Sequence, residues 1–95
     1  TADTFAEGVA VREPHPDAVA MINTGADGII EVEEDQIAAA VRLLFKATHN
    51  VAEGAGAVGL AGLLADENRT PSDRCATILS GGNIDTDKFA RLLSA

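Results

Sequence analysis

Three glycines, Gly56, Gly59 and Gly62, stand at every third position of a stretch rich in small apolar residues. The stretch predicts a helix over about residues 55–65, although each glycine lowers helix propensity by about 1 kcal/mol relative to alanine. An interaction elsewhere must offset that loss. Because a residue without a side chain lets a second backbone or a ligand approach closely, the spacing indicates a tightly packed surface along this helix.

The core that such a chain can build is small. Hydrophobic residues make up 46% of the 95 residues and aromatic residues only 3%, so Ala, Val, Ile and Leu must fill the interior. A chain of this length suits one small domain. If it is instead part of a larger domain, we expect an apolar patch where the remainder of that domain packs.

Helical and extended patterns alternate along the chain. The strongest helical pattern follows Glu33, Glu34 and Asp35, whose negative charge suits a helix N-terminus, and it ends near residues 49–50. We also predict helices over about 17–23 and 85–93 and strands over 28–32 and 75–79, with Cys75 as a small core residue of the second strand. The alternation favours an α/β fold, a partial parallel sheet with flanking helices.

The composition argues against several classes of function. The formal net charge is −8, which repels a polyanion, and the scarcity of aromatic residues removes the platforms that bind single-stranded nucleic acid. No apolar run approaches the roughly 20 residues that a membrane span needs, and a single cysteine allows no internal disulfide. We expect a soluble, cytoplasmic protein that binds neither nucleic acid nor membranes.

Three segments are candidates for a binding site, and Thr4-Phe5-Ala6-Glu7-Gly8 is the least specific of them. The segment 80–83, Ser-Gly-Gly-Asn, follows a predicted strand, and ligands of open α/β sheets gather at strand ends. The alternative is an ordinary turn whose glycines permit positive φ. Glu53 stands directly before a helix whose first turn carries no bulky side chain, and its alternative role is a capping carboxylate.

Four segments together resemble the C-terminal part of the threonine dehydratase and serine racemase family, pyridoxal-phosphate enzymes of fold type II, like the tryptophan synthase β chain. They are Thr4-Phe5-Ala6-Glu7-Gly8-Val9-Ala10-Val11, Asp27-Gly28-Ile29-Ile30-Glu31-Val32-Glu33-Glu34, Glu53-Gly54-Ala55-Gly56-Ala57 and Leu79-Ser80-Gly81-Gly82-Asn83-Ile84-Asp85. The resemblance covers nearly the whole chain. The departures are Glu7, where the family usually has Asp, and Phe5, where Ile is commoner. They leave the subgroup and the substrate open.

The resemblance implies that residues 1–95 are the C-terminal portion of a dehydratase catalytic domain, within a larger domain that binds pyridoxal 5′-phosphate. It places Ser80 in a hydrogen bond to the pyridine nitrogen, Gly81, Gly82 and Asn83 along the ring edge, and Glu53 and Gly8 in the pocket wall. A neutral hydroxyl can donate to an unprotonated ring nitrogen without stabilising a pyridinium cation. The ring is then a moderated electron sink, which favours β-elimination over transamination.

The resemblance also implies that no catalytic residue lies in this chain. In the family, a lysine in a Ser-Phe-Lys segment holds the cofactor aldehyde, and a glycine-rich loop holds the phosphate. Both segments lie upstream of the matched part. Lys46 and Lys88 lie in predicted helices, and the better interpretation is that their side chains lie on a solvated helix face. The metal-binding carboxylates of some members are also upstream, so we assign no metal. We expect the isolated chain to be inactive.

The full-length protein is therefore expected to be a homo-oligomeric lyase that converts threonine, serine or a related hydroxy amino acid into a 2-oxo acid and ammonia. An amino-acid racemase of the same family is one alternative. The other is an autonomous binding or oligomerisation domain without chemistry. Such a domain would hide its apolar faces, whereas part of an enzyme would expose them.

Overall fold

The computed structural model describes residues 3–95, and all of its regular structure is helical. The helices are α1 (Pro16–Gly25), α2 (Glu34–Thr48), α3 (Gly54–Ala65) and α4 (Thr86–Ser94), and a single 3₁₀ turn covers Glu7–Val9. These bounds confirm the four predicted helices to within a few residues. None of the helices in this part of the chain is long and apolar enough to cross a membrane.

The helix ends follow from local chemistry. Before α2, the backbone N–H of Glu33 donates to Oε1 of Gln36 at 2.7 Å, and acidic residues occupy the first turn, where the helix dipole favours them. The helix ends at His49, which adopts the left-handed conformation with φ of 59°. In front of α1, Nδ1 of His15 accepts a hydrogen bond from the N–H of Asp17 at 3.1 Å, and proline takes the first helical position.

The predicted parallel sheet is wrong for the described residues. Segments 28–32 and 75–79 form no strand, and their backbone groups make no backbone hydrogen bond with any residue from 3 to 95. A strand exists only where a neighbouring strand satisfies its N–H and C=O groups, and no residue from 3 to 95 pairs with either segment in this way. Ile29 and Ile78 are 75% and 82% exposed. Cys75 is also exposed, so its predicted place in the core is wrong.

The core lies between α2 and α3 and is built from small residues, as the composition predicted. Val41 is the largest fully buried side chain of the described residues. The other buried hydrophobic residues are Ala6, Ile37, Ala40, Ala52, Ala57 and Ala61, and Gly54 and Gly56 are buried beside them. Because these side chains are short, the two helices pack closely over a core of little volume.

The outer helices are attached differently. On one side, α4 packs against α2, where the rings of Phe45 and Phe89 meet edge to face at 5.4 Å between centroids. A guanidinium nitrogen of Arg42 also donates to the carbonyl of Leu92 at 3.1 Å. By contrast, α1 buries no residue and packs against none of the other helices between residues 3 and 95. Its Met21 side chain is 73% exposed.

This arrangement predicts where stability resides. We expect Val41→Ala to lower the free energy of unfolding of the 95-residue chain by roughly 2 kcal/mol, because it leaves a cavity among side chains that cannot fill it. The matched control is Val19→Ala in α1, where the side chain is 38% exposed, and its effect should stay within about 0.5 kcal/mol. Urea unfolding followed by circular dichroism measures both. Equal effects of the two changes would contradict the described core.

Candidate functional site

Other parts of the chain pack closely against the start of α3. A Cβ added at Gly54 would lie 2.7 Å from the ring of Phe5 and 3.0 Å from Cα of Ala6, and one added at Gly8 would lie 2.8 Å from Cβ of Ala55. Segment 4–8 therefore packs directly on the first turn of α3. Its other attachment is a hydrogen bond from the N–H of Phe5 to Oε2 of Glu34 at 3.2 Å.

Segment 80–83 packs against the same helix end from another side. The backbone N–H of Glu53 donates to the carbonyl of Gly81 at 3.1 Å. A Cβ at Gly81 would collide with the carboxylate of Glu53, and one at Gly82 would collide with the carbonyl of Val51. No glycine between residues 3 and 95 has a positive φ. The alternative that these glycines permit positive φ in a turn is therefore wrong. The fold requires glycine at Gly81 and Gly82 because a side chain there would have no space.

Glu53 precedes α3 as its N-cap residue, but its side chain accepts no hydrogen bond from the helix. The predicted alternative of a capping carboxylate is thus wrong. The carboxylate instead lines an open cleft of about 190 Å³ beside the helix end. The helix N-terminus next to this cleft contributes a partial positive charge.

The cleft brings together residues from segment 4–8, from the start of α3 and from segment 83–88. Its lining consists of Phe5, Glu7, Glu53, Gly54, Asn83, Ile84, Asp85 and Lys88. Lys88 is half-buried there, so the prediction that it lies on a solvated face does not describe its position. Sequence reasoning also missed Asp85. The signal was available, because Asp85 and Lys88 follow segment 80–83 closely and are three residues apart, which is about one helical turn.

The predicted site residues are brought together only in part. Asn83 and Glu53 line the cleft, whereas Gly81 and Gly82 do not line it and pack against Glu53 and Val51. Ser80 is exposed and does not line the cleft, and its hydroxyl makes no hydrogen bond with any residue from 3 to 95. Gly8 does not line the cleft, although its neighbour Glu7 does.

The comparisons with known proteins identify the family. A family model described as pyridoxal-phosphate dependent enzyme matches residues 1–81. The chain belongs to this family. No solved structure matches the chain.

Curated relatives of this family carry consistent names. An L-threonine ammonia-lyase of Thermotoga maritima is 35% identical over 91 residues, which cover 96% of this chain and 22% of that protein. An L-threonine ammonia-lyase of Geobacter sulfurreducens is 42% identical over 82 residues, 86% of this chain and 20% of that protein. The biosynthetic L-threonine dehydratase of Escherichia coli is 41% identical over 83 residues, 84% of this chain and 16% of that protein. The chain thus spans about a fifth of the length of these relatives.

Segment 80–83 offers one group with the chemistry to hold the family's cofactor. Ser80 offers a neutral hydroxyl with no partner in the described chain, which suits a ring nitrogen that accepts one hydrogen bond. No group of three or more His, Cys, Asp or Glu among residues 3–95 is arranged to hold a metal ion.

The close contact of Gly82 with Val51 gives a prediction about stability. We expect Gly82→Ala to lower the free energy of unfolding of the chain by about 1–3 kcal/mol, because the added methyl group meets a backbone carbonyl that cannot rotate away. Gly28→Ala is the matched control outside a helix, since its added methyl group meets nothing within 4 Å. It should be neutral or stabilise the chain by up to about 1 kcal/mol. Chemical denaturation of both variants tests this, and a neutral Gly82→Ala would refute the contact.

Proposed function

We propose that this chain forms one wall of the active site of a pyridoxal-phosphate dependent ammonia-lyase. In this proposal, the full-length protein converts threonine or serine into the corresponding 2-oxo acid and ammonia. The observation that carries it is the placement of an exposed Ser80 hydroxyl at the start of a glycine segment that is held against α3. The names of the three relatives support the same reaction class.

Ser80 would donate its hydroxyl proton to the ring nitrogen of the cofactor. Pyridoxal phosphate, when bound, supplies the electron sink for bond cleavage at the substrate Cα. A serine at this position keeps the ring nitrogen unprotonated, because a hydroxyl does not stabilise a positive charge as a carboxylate would. This limits electron withdrawal and favours rapid loss of the β-hydroxyl group as water. Hydrolysis of the resulting imine then gives the 2-oxo acid and ammonia.

The surface of the chain supports a place within a larger catalytic domain. Large apolar side chains are exposed in segments 28–32 and 75–79 and in α1, and the three relatives are about five times as long as the matched segment. An autonomous binding domain would cover such side chains. We propose that the remainder of the same protein covers them, and that it provides the residues that hold the cofactor aldehyde and phosphate.

A racemase built on the same pocket is the second candidate, and the products separate it from a lyase. A lyase forms 2-oxo acid and ammonia from L-threonine or L-serine, whereas a racemase forms the D-amino acid. Because the three relatives are named as ammonia-lyases or dehydratases, we favour the lyase. Chromatography of the products of the full-length protein decides between the two.

Substitutions at Ser80 test the proposed role. In the full-length protein, we expect Ser80→Ala to shift the absorption spectrum of bound pyridoxal phosphate and to weaken its binding roughly tenfold, since one hydrogen bond to the ring is lost. Ser80→Thr should keep both properties near those of the unsubstituted protein, because it retains the hydroxyl group. Spectrophotometric titration of the apoprotein with the cofactor measures spectrum and affinity together.

Two results would contradict the proposal. If the full-length protein binds no pyridoxal phosphate, the enzyme assignment fails and the autonomous binding domain takes its place. If the cofactor binds but Ser80→Ala changes neither its spectrum nor its affinity, the hydroxyl does not contact the ring. The Ser80→Thr variant separates loss of the hydroxyl from a general disturbance of the turn.

A further inference from the structure

We infer that Gly56 of α3 is a positioning residue for Ser80, acting through the backbone of Gly81. The inference builds on the proposed function, because it concerns the direction of the hydroxyl that contacts the cofactor. It explains why a helix tolerates glycine at a position that alanine would stabilise. It also distinguishes Gly56 from Gly62, which follows at the same spacing along the same helix.

The contact between Gly56 and Gly81 joins two backbones. A Cβ added at Gly56 would collide with the carbonyl oxygen of Gly81 and would lie 3.0 Å from its nitrogen. Both atoms belong to the main chain, so no side-chain rotation can make room. Alanine at this position would therefore displace Gly81 itself, and Ser80 is joined to Gly81 by one rigid peptide unit.

A second contact holds the same residue. The backbone N–H of Glu53, directly before α3, donates to the carbonyl of Gly81 at 3.1 Å. The hydrogen bond thus holds Gly81 against the helix, and the missing side chain at Gly56 leaves the space in which Gly81 lies. Because α3 is anchored in the core through Ala57 and Ala61, the helix provides a rigid reference for the position of Ser80.

Within residues 3–95, this is the firmest attachment that Ser80 has, because the preceding chain offers little other support there. Every residue from 71 to 80 is exposed. One further contact lies in this stretch, where a Cβ at Gly59 would meet the side-chain oxygen of Thr77. That contact is softer, since the exposed Thr77 side chain can rotate. A hydrogen bond to a ring nitrogen weakens steeply as its angle departs from linearity, so a displaced Gly81 would misdirect the hydroxyl.

The glycine series on α3 provides a matched comparison. We expect Gly56→Ala in the full-length protein to shift the spectrum of bound pyridoxal phosphate in the same direction as Ser80→Ala and to weaken cofactor binding roughly tenfold. Gly59→Ala should have a smaller effect. Gly62→Ala should have none, because its added methyl group meets nothing within 4 Å. Circular dichroism of each apoprotein establishes that the variants are folded.

A second pair of variants tests the same attachment without changing the helix interior. Glu53→Pro removes the N–H that donates to Gly81, and the backbone φ of −78° at this position suits proline. Glu53→Ala removes the same carboxylate but keeps the N–H. We expect the proline variant to show the spectral shift relative to the alanine variant. This pair decides the question if Gly56→Ala does not fold.

The outcomes separate the inference from the proposed function. If Ser80→Ala shifts the spectrum while Gly56→Ala and the Glu53 pair leave it unchanged, the positioning role is wrong and the proposed function stands. If Ser80→Ala itself is without effect, or the protein binds no cofactor, the proposed function fails and the inference fails with it. A shift in Gly62→Ala equal to that in Gly56→Ala would also overturn the inference.

Discussion

The close approach of other backbone segments to α3 is the interaction on which the rest of the structure depends. Segment 4–8 packs on its first turn and segment 77–82 runs along its glycine face. Both contacts require positions without a side chain, at Gly54 and Gly56 in particular. The helix loses about 1 kcal/mol of propensity at each glycine. Burial against α2 and the contacts that the missing side chains permit offset this loss.

The same contacts connect the core to the candidate site. Small residues on α3 face α2 on one side, where Ala57 and Ala61 are buried, and the cleft lies at the N-terminal end of the helix. Glu53, directly before the helix, donates its N–H to Gly81 and directs its carboxylate toward the cleft. The packing that stabilises the helix pair therefore also sets the position of the residues that resemble a cofactor pocket.

Local signals predicted the helices well because helical hydrogen bonds lie within one segment. The acidic start of α2 and the apolar spacing that follows were sufficient to place it. The predicted strands failed for the opposite reason. A β-branched run such as Ile29 and Ile30 is suited to a strand, but strand formation requires a partner that sequence periodicity does not supply. In the described chain, neither this run nor segment 75–79 pairs with a second strand.

The sequence by itself determined the small-residue core, the four helices and, through four short segments, the resemblance to pyridoxal-phosphate dependent enzymes that the family match confirmed. Only the tertiary structure decided how the candidate site is assembled. It showed that Gly81 and Gly82 serve close packing and do not adopt positive φ, that the Glu53 side chain does not cap α3, and that Lys88 lines the cleft. The reason is physical: propensity and spacing act between neighbours in sequence, whereas these properties depend on distances between segments that lie far apart along the chain.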